Sequence, residues 1–174
     1  MSIHDTDPFA TPEEHRSPVR RFRGRLPAAV TLWTSYHPDT GEAGLTVSST
    51  MVVDGEPGRL LGTLDDESDV WAAIEASGAF TVMPLGPADR QLADRFAGVL
   101  PAPGGPFRGY EWGRTDFGPV LADRNTWAGC RLDTVRKFGW GLLIEATIAD
   151  LRVGSVAAPL LYYRGRYREL PTDR

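Results

Sequence analysis

The chain has 174 residues, 41% hydrophobic and 24% charged, with a formal net charge of −4. That is enough for one domain with its own core, and the acidic balance disfavours nucleic acid as a partner, which would call for a basic face. The single cysteine, Cys130, excludes an internal disulfide framework and any Cys-rich metal site, and nothing points to an oxidising compartment.

Residues 1–19 read as a flexible arm. The stretch Met1 to Pro18 is polar and acidic, without the basic start and apolar run of a secretory signal. No apolar run reaches the roughly 18 residues that cross a bilayer, so no membrane is expected and the location expected is cytoplasmic. A domain over 20–174 follows. It opens on Arg20, Arg21, Arg23 and Arg25, which read first as a solvated face.

Leu26 to Ser35 is rich in β-branched and aromatic residues and predicts a strand. His37 to Gly44 has turn chemistry. Leu45 to Val53 predicts a second strand, placing Thr46, Ser48 and Thr50 on one face and Val47, Ser49 and Met51 on the other. Asp54 to Gly58 interrupts the pattern, and Arg59 to Leu64 resumes it. Asp65, Asp66, Glu67 and Ser68 precede an apolar 3–4 spacing, which marks a helix start, and Gly78 marks its end. Ala79 to Leu85 is a strand and Pro87 to Phe96 a helix closed by Gly98. Leu100 to Gly109 is a loop, with three prolines and three glycines, and Tyr110 to Val120 is irregular. Thr126 to Val135 and Gly141 to Val153 are strands; Leu160 to Tyr163 and Tyr167 to Leu170 flank a turn at Arg164 and Gly165. About six strands and two short helices, with no repeat, predict a mainly β barrel or sandwich.

Three stretches together resemble the flavin reductase family. The first is Gly44-Leu-Thr-Val-Ser-Ser49, after a strand holding Thr34-Ser35. The second is Ser68 and its helix, then Ser77-Gly78-Ala79-Phe80-Thr81-Val82 and Leu92-Ala-Asp-Arg-Phe96-Ala-Gly98. The third is Gly118-Pro-Val-Leu121, Cys130, and Pro159-Leu-Leu-Tyr-Tyr163-x-Gly165-x-Tyr167. The resemblance covers roughly Arg21 to Leu170. It implies a six-stranded split β-barrel of Greek-key type with short flanking helices, working as a homodimer with FMN or FAD at the subunit interface. It also implies that Thr34, Thr46, Val47, Ser48 and Ser49 face the flavin ring, that Ser68 marks the phosphate site, and that Phe96 and Gly98 pass close to the flavin. Trp140, Tyr163 and Tyr167 would line the substrate side.

Two departures matter. The carboxylates Asp65, Asp66 and Glu67 stand where family members commonly carry an amide or basic residue, and they repel a phosphate unless they point away. Gly139-Trp140-Gly141 stands where many members have Gly-Asp-His, whose His meets the nicotinamide nucleotide. Trp140 reads either as a stacking surface for a flat ring or as a core residue at the barrel end. Cys130 reads as a small buried residue, and no His triplet has metal-ligand spacing. Gly104-Gly105-Pro106 is not a phosphate cradle, because no strand and helix bracket it.

The resemblance implies an NAD(P)H-dependent flavin reductase, with NAD(P)H as co-substrate and a flavin-dependent monooxygenase as partner. The alternative is a repurposed pocket that holds flavin or another flat ligand without efficient reduction.

Overall fold

The computed structural model describes residues 17–155 and 158–170. The described residues are mainly β, at 47% strand and 16% helix. Helix α1 (Pro18–Arg23) is capped by Ser17, whose hydroxyl accepts from the Arg20 N–H. The first sixteen residues of the predicted arm lie outside the described residues. Strands β1 (Ala28–Ala29), β2 (Thr31–His37), β3 (Gly41–Val47), β4 (Met51–Val53) and β5 (Arg59–Leu64) follow. Helix α2 (Asp69–Ser77), β6 (Ala79–Pro84) and α3 (Arg90–Phe96) come next, α3 being entered through a 3₁₀ turn at Pro87–Asp89. The chain ends in β7 (Trp112–Thr115), β8 (Gly118–Leu121), β9 (Trp127–Phe138), β10 (Gly141–Arg152), β11 (Leu160–Tyr163) and β12 (Arg166–Glu169).

Seven strands form the main sheet in the order β3-β2-β6-β9-β10-β5-β4, with every pairing antiparallel. Its two edges, β3 and β4, are joined by only Ser48, Ser49 and Thr50. A three-residue link spans on the order of 14 Å even when fully extended. The sheet must therefore curl until its two edges lie close together, with an unpaired seam between them. Ser49 ties this link to β5: its hydroxyl donates to the Thr63 carbonyl at 3.0 Å and accepts from the Thr63 N–H at 3.3 Å.

Strand β2 is buried on both faces from Thr31 to Ser35 because it separates two cores. Inside the curl, Trp33 stacks on Phe80 at 4.7 Å, and Leu60, Ile74 and Ile144 pack around them. On the other face, Leu32, Met83, Leu85, Leu92, Phe96 and Leu160 form the second core under α3. Three-stranded β1-β11-β12 and the β7–β8 hairpin close over it.

The mainly β class and both internal helices agree with the sequence reading, and β5 has the predicted bounds. Three expectations are corrected. The strand count exceeds six. The predicted second strand, Leu45 to Val53, is two strands broken at Ser48–Thr50. The stretch from Tyr110 to Val120 is not irregular but holds the β7–β8 hairpin, paired from Trp112↔Leu121 to Thr115↔Gly118.

Candidate functional site

The strand break is the feature from which a site can be built. Residues Ser48–Thr50 belong to neither adjoining ladder: the β2–β3 register stops at Thr31↔Val47 and the β4–β5 register begins at Met51↔Leu61. Their peptide groups are released from sheet pairing at the seam. The Thr50 hydroxyl is taken up by Thr31 at 3.0 Å and by the Trp33 indole N–H at 3.1 Å, and the Ser49 hydroxyl by Thr63. Ser48 is different. It is half-buried, and among the described residues its hydroxyl has no hydrogen-bond partner. A hydroxyl and a run of unladdered peptides at one place suit a flat ring edged with donors and acceptors, so the donor set fits a flavin.

The remaining predicted strand residues play structural parts. Thr34 is fully buried, its hydroxyl 2.5 Å from both the Thr81 hydroxyl and the Pro119 carbonyl. Thr46 donates to the Ala93 carbonyl at 2.7 Å and ties β3 to α3. Val47 is buried, and its carbonyl accepts from Thr31 at 2.8 Å. Thr34 and Val47 thus present no exposed side chain, and the Thr46 hydroxyl is committed to α3.

The acidic loop lies beside the seam, since Ser49 is tied to Thr63, two residues before Asp65. Ser68 caps α2: its hydroxyl accepts from the Trp71 N–H and donates to the Asp65 carbonyl at 2.7 Å. Asp65, exposed, accepts from the Glu67 N–H at 3.0 Å. Asp66 forms an ion pair with Lys137. Hydrogen bonding and charge from Lys137 hold the Asp66 carboxyl below its usual range. Lys137, the chain's one lysine, was not singled out from the sequence. The signal lay in its place two residues before the Gly139 turn.

That turn is a two-residue hairpin loop, Gly139 and Trp140, between the paired Phe138 and Gly141. Gly139 has φ 62°, the sign a II′ turn requires at its first position. Trp140 is completely exposed, at 101%, so the reading of Trp140 as a barrel-end core residue is corrected. Gly141 packs flat against β5: a Cβ there would lie 2.6 Å from the Leu64 carbonyl oxygen. A histidine at 141 would therefore need the backbone to move.

Phe96 is buried, edge-on to Phe107 at 4.9 Å and to Trp112 at 5.9 Å. It presses on Gly44, where a Cβ would come within 2.7 Å of its ring. Gly98 follows α3 with φ 71°. Tyr163 and Tyr167 lie in the β11–β12 hairpin, in a different sheet from Trp140. Tyr167 is half-buried against the second core; burial and the Asp94 carboxylate push its hydroxyl pKa up. The structure thus gathers Ser48, Ser49, Ser68 and Trp140 around one end of the main sheet, and leaves Phe96, Gly98, Tyr163 and Tyr167 on the α3 side. Cys130 is fully buried, and burial pushes its thiol up to about 12. It stays protonated near neutrality and is no nucleophile.

A family model described as "Flavin reductase like domain" matches residues 23–171. The chain belongs to the flavin reductase-like family. It is 30% identical over 170 residues to the FMN reductase (NADH) RutF of Variovorax paradoxus, covering 97% of this chain and 93% of that protein. It is 30% identical over 159 residues to the flavin-dependent monooxygenase reductase subunit HsaB of Rhodococcus jostii, covering 89% and 80%. Among solved structures it resembles nitrilotriacetate monooxygenase component B of Mycobacterium thermoresistibile, with a TM-score of 0.77 and 28% identity over 88% of this chain and 85% of that one.

Proposed function

We propose that this chain is an NADH-dependent flavin reductase that supplies reduced flavin to a partner oxygenase. The observation that carries the reading is the unpartnered Ser48 hydroxyl among unladdered peptides at the seam, within a chain of this family. The relatives named as an NADH-dependent FMN reductase and a monooxygenase reductase subunit support it.

Bound flavin supplies the hydride acceptor. Everything else falls to the chain, and none of its residues need move a proton for a hydride to pass. Ser48 and the adjoining peptides fix the edge of the ring. The Asp69 and Val70 N–H groups, in the first turn of α2 that Ser68 caps, are offered to a phosphate, and Lys137 offsets the charge of Asp66 beside it. Trp140 supplies a flat apolar surface that covers a ring and excludes water once a second ring lies against it.

A homodimer completes this reading. Strand β4 is an open sheet edge whose Met51, Val52 and Val53 are all exposed, and Leu151 and Val153 extend the apolar surface at the end of β10. Open edges and apolar patches of this kind need cover. No helix among the described residues is long and apolar enough to cross a membrane; a cytoplasmic site of action is part of the proposal.

The Gly139-Trp140-Gly141 turn favours a second reading, in which flavin is held but NADH turns over slowly. One experiment addresses both. The purified chain is titrated with FMN by fluorescence quenching, then assayed for NADH oxidation with saturating FMN. Tight quenching with turnover supports the reductase; quenching without turnover supports the second reading; no quenching overturns both.

A further inference from the structure

The loop from Leu100 to Gly109 has no part in the site described above, yet it is built with care. Its Phe107 is buried between Phe96 and Trp112, with ring centroids 4.9 and 4.8 Å away. The Trp112 indole N–H donates to the Phe107 carbonyl at 2.9 Å. The next residue, Arg108, thus springs from an anchored backbone. Its side chain lies across Gly104, where a Cβ would stand 2.8 Å from the Arg108 guanidinium; Gly104 has φ 84°, and no other residue type would leave that path open. Arg95, at the end of α3, donates to the Arg108 carbonyl at 3.1 Å and sits 5.5 Å over the Tyr110 ring.

Arg95, Arg108 and Tyr110, with Ala102, Pro103 and Gly109, line an open cleft of about 430 Å³. The Arg108 guanidinium, on a fixed floor and beside the Arg95 charge, is matched to a multiply charged oxyanion, which it can grip with two parallel N–H donors. At about 430 Å³ the open cleft has room for more than a single inorganic ion. We propose that this cleft binds the phosphate-bearing arm of a dinucleotide, with Arg108 as the principal contact and Arg95 as its positioning residue. The class of ligand rests on the flavin reductase reading; the anion site itself does not. Two sources share that chemistry, the adenylate half of FAD and that of the nicotinamide dinucleotide.

The test uses the full-length protein, first with ADP alone as the probe. Calorimetric titration should show ADP binding to the wild type, weakened tenfold or more in Arg108→Ala and partly restored in Arg108→Lys. The Ala variant removes an exposed side chain and should keep the wild-type Tm. No ADP binding by the wild type, or binding indifferent to Arg108→Ala, overturns the proposal. The source is then read from the same variant. FAD affinity falling tenfold with FMN unchanged assigns the cleft to FAD. A KM for NADH raised tenfold, with both flavins and kcat unchanged, assigns it to the nicotinamide dinucleotide. Equal losses for FMN and FAD also overturn the proposal, since FMN has no adenylate arm. A wild type that binds ADP but no flavin would leave the anion site standing and remove the reductase reading.

Discussion

Three neighbouring hydroxyls, those of Ser48, Ser49 and Thr50, look alike in the sequence and do different work. Only Ser48 is uncommitted, so Ser48→Leu should weaken FMN binding at least tenfold by filling the ring's place while leaving urea stability within about 0.5 kcal/mol, as for other substitutions outside the packed core. Ser49→Ala removes both bonds that tie the link to β5 and should cost about 1–3 kcal/mol in the same urea experiment. At Asp66 the ion pair with Lys137 lowers the carboxyl pKa, so that contribution is present above the ordinary carboxylate pKa and is lost as pH falls through the lower folded value. At neutral pH the pair is intact. Lys137→Ala should then expose an unbalanced carboxylate beside the phosphate and weaken FMN binding at low salt, with the deficit shrinking in 0.5 M NaCl, roughly, as screening takes over. An equal deficit at both salt concentrations would show that Lys137 acts by contact rather than charge.

Elements were legible where local chemistry and tertiary demand agree. The Ser68 cap and the left-handed Gly78 bracket α2, and alternation along Arg59–Leu64 shows β5 burying every second residue. The break at Ser48–Thr50 was hidden because Thr-Val-Ser-Ser-Thr-Met-Val-Val is rich in β-branched residues and holds no Gly or Pro breaker; what interrupts it is bonding to Thr31, Trp33 and Thr63, all distant in sequence. The β7–β8 hairpin was hidden for the opposite reason. Pro119 argues against a strand, yet here its carbonyl is the acceptor for both Thr34 and Thr81. The candidate site was legible as a strand and a helix cap, but Lys137 and the anchored Arg108 came into view only in three dimensions. At this scale the β11–β12 hairpin has a testable dependence on pH. Tyr167 has its pKa raised by burial and by Asp94, so folding is favoured with the phenol neutral. That contribution is full below the ordinary tyrosine pKa of about 10 and declines as pH rises toward the folded value. Amide exchange in β12 should accelerate selectively above about pH 10, and Tyr167→Phe should abolish the selective change.

The whole molecule is a sheet rolled until its two edges are three residues apart, with apolar surface left outside. Sedimentation in dilute solution should return about 38 kDa, twice the 19.1 kDa chain; a value near one chain mass would remove the homodimer. Val52→Lys, on the exposed β4 edge, should shift that equilibrium toward monomer without lowering the helix and strand content seen by circular dichroism. The short link at Ser48–Thr50 has a further result. It is at once the place where a ring would sit and the strap that holds the two edges of the roll near each other. A guest held there clasps both margins of the sheet, so its arrival should slow amide exchange along β3 and β4 together, although five strands stand between them in the sheet. Occupancy would then be readable as a stiffening of the entire roll, and the empty molecule would breathe at its seam.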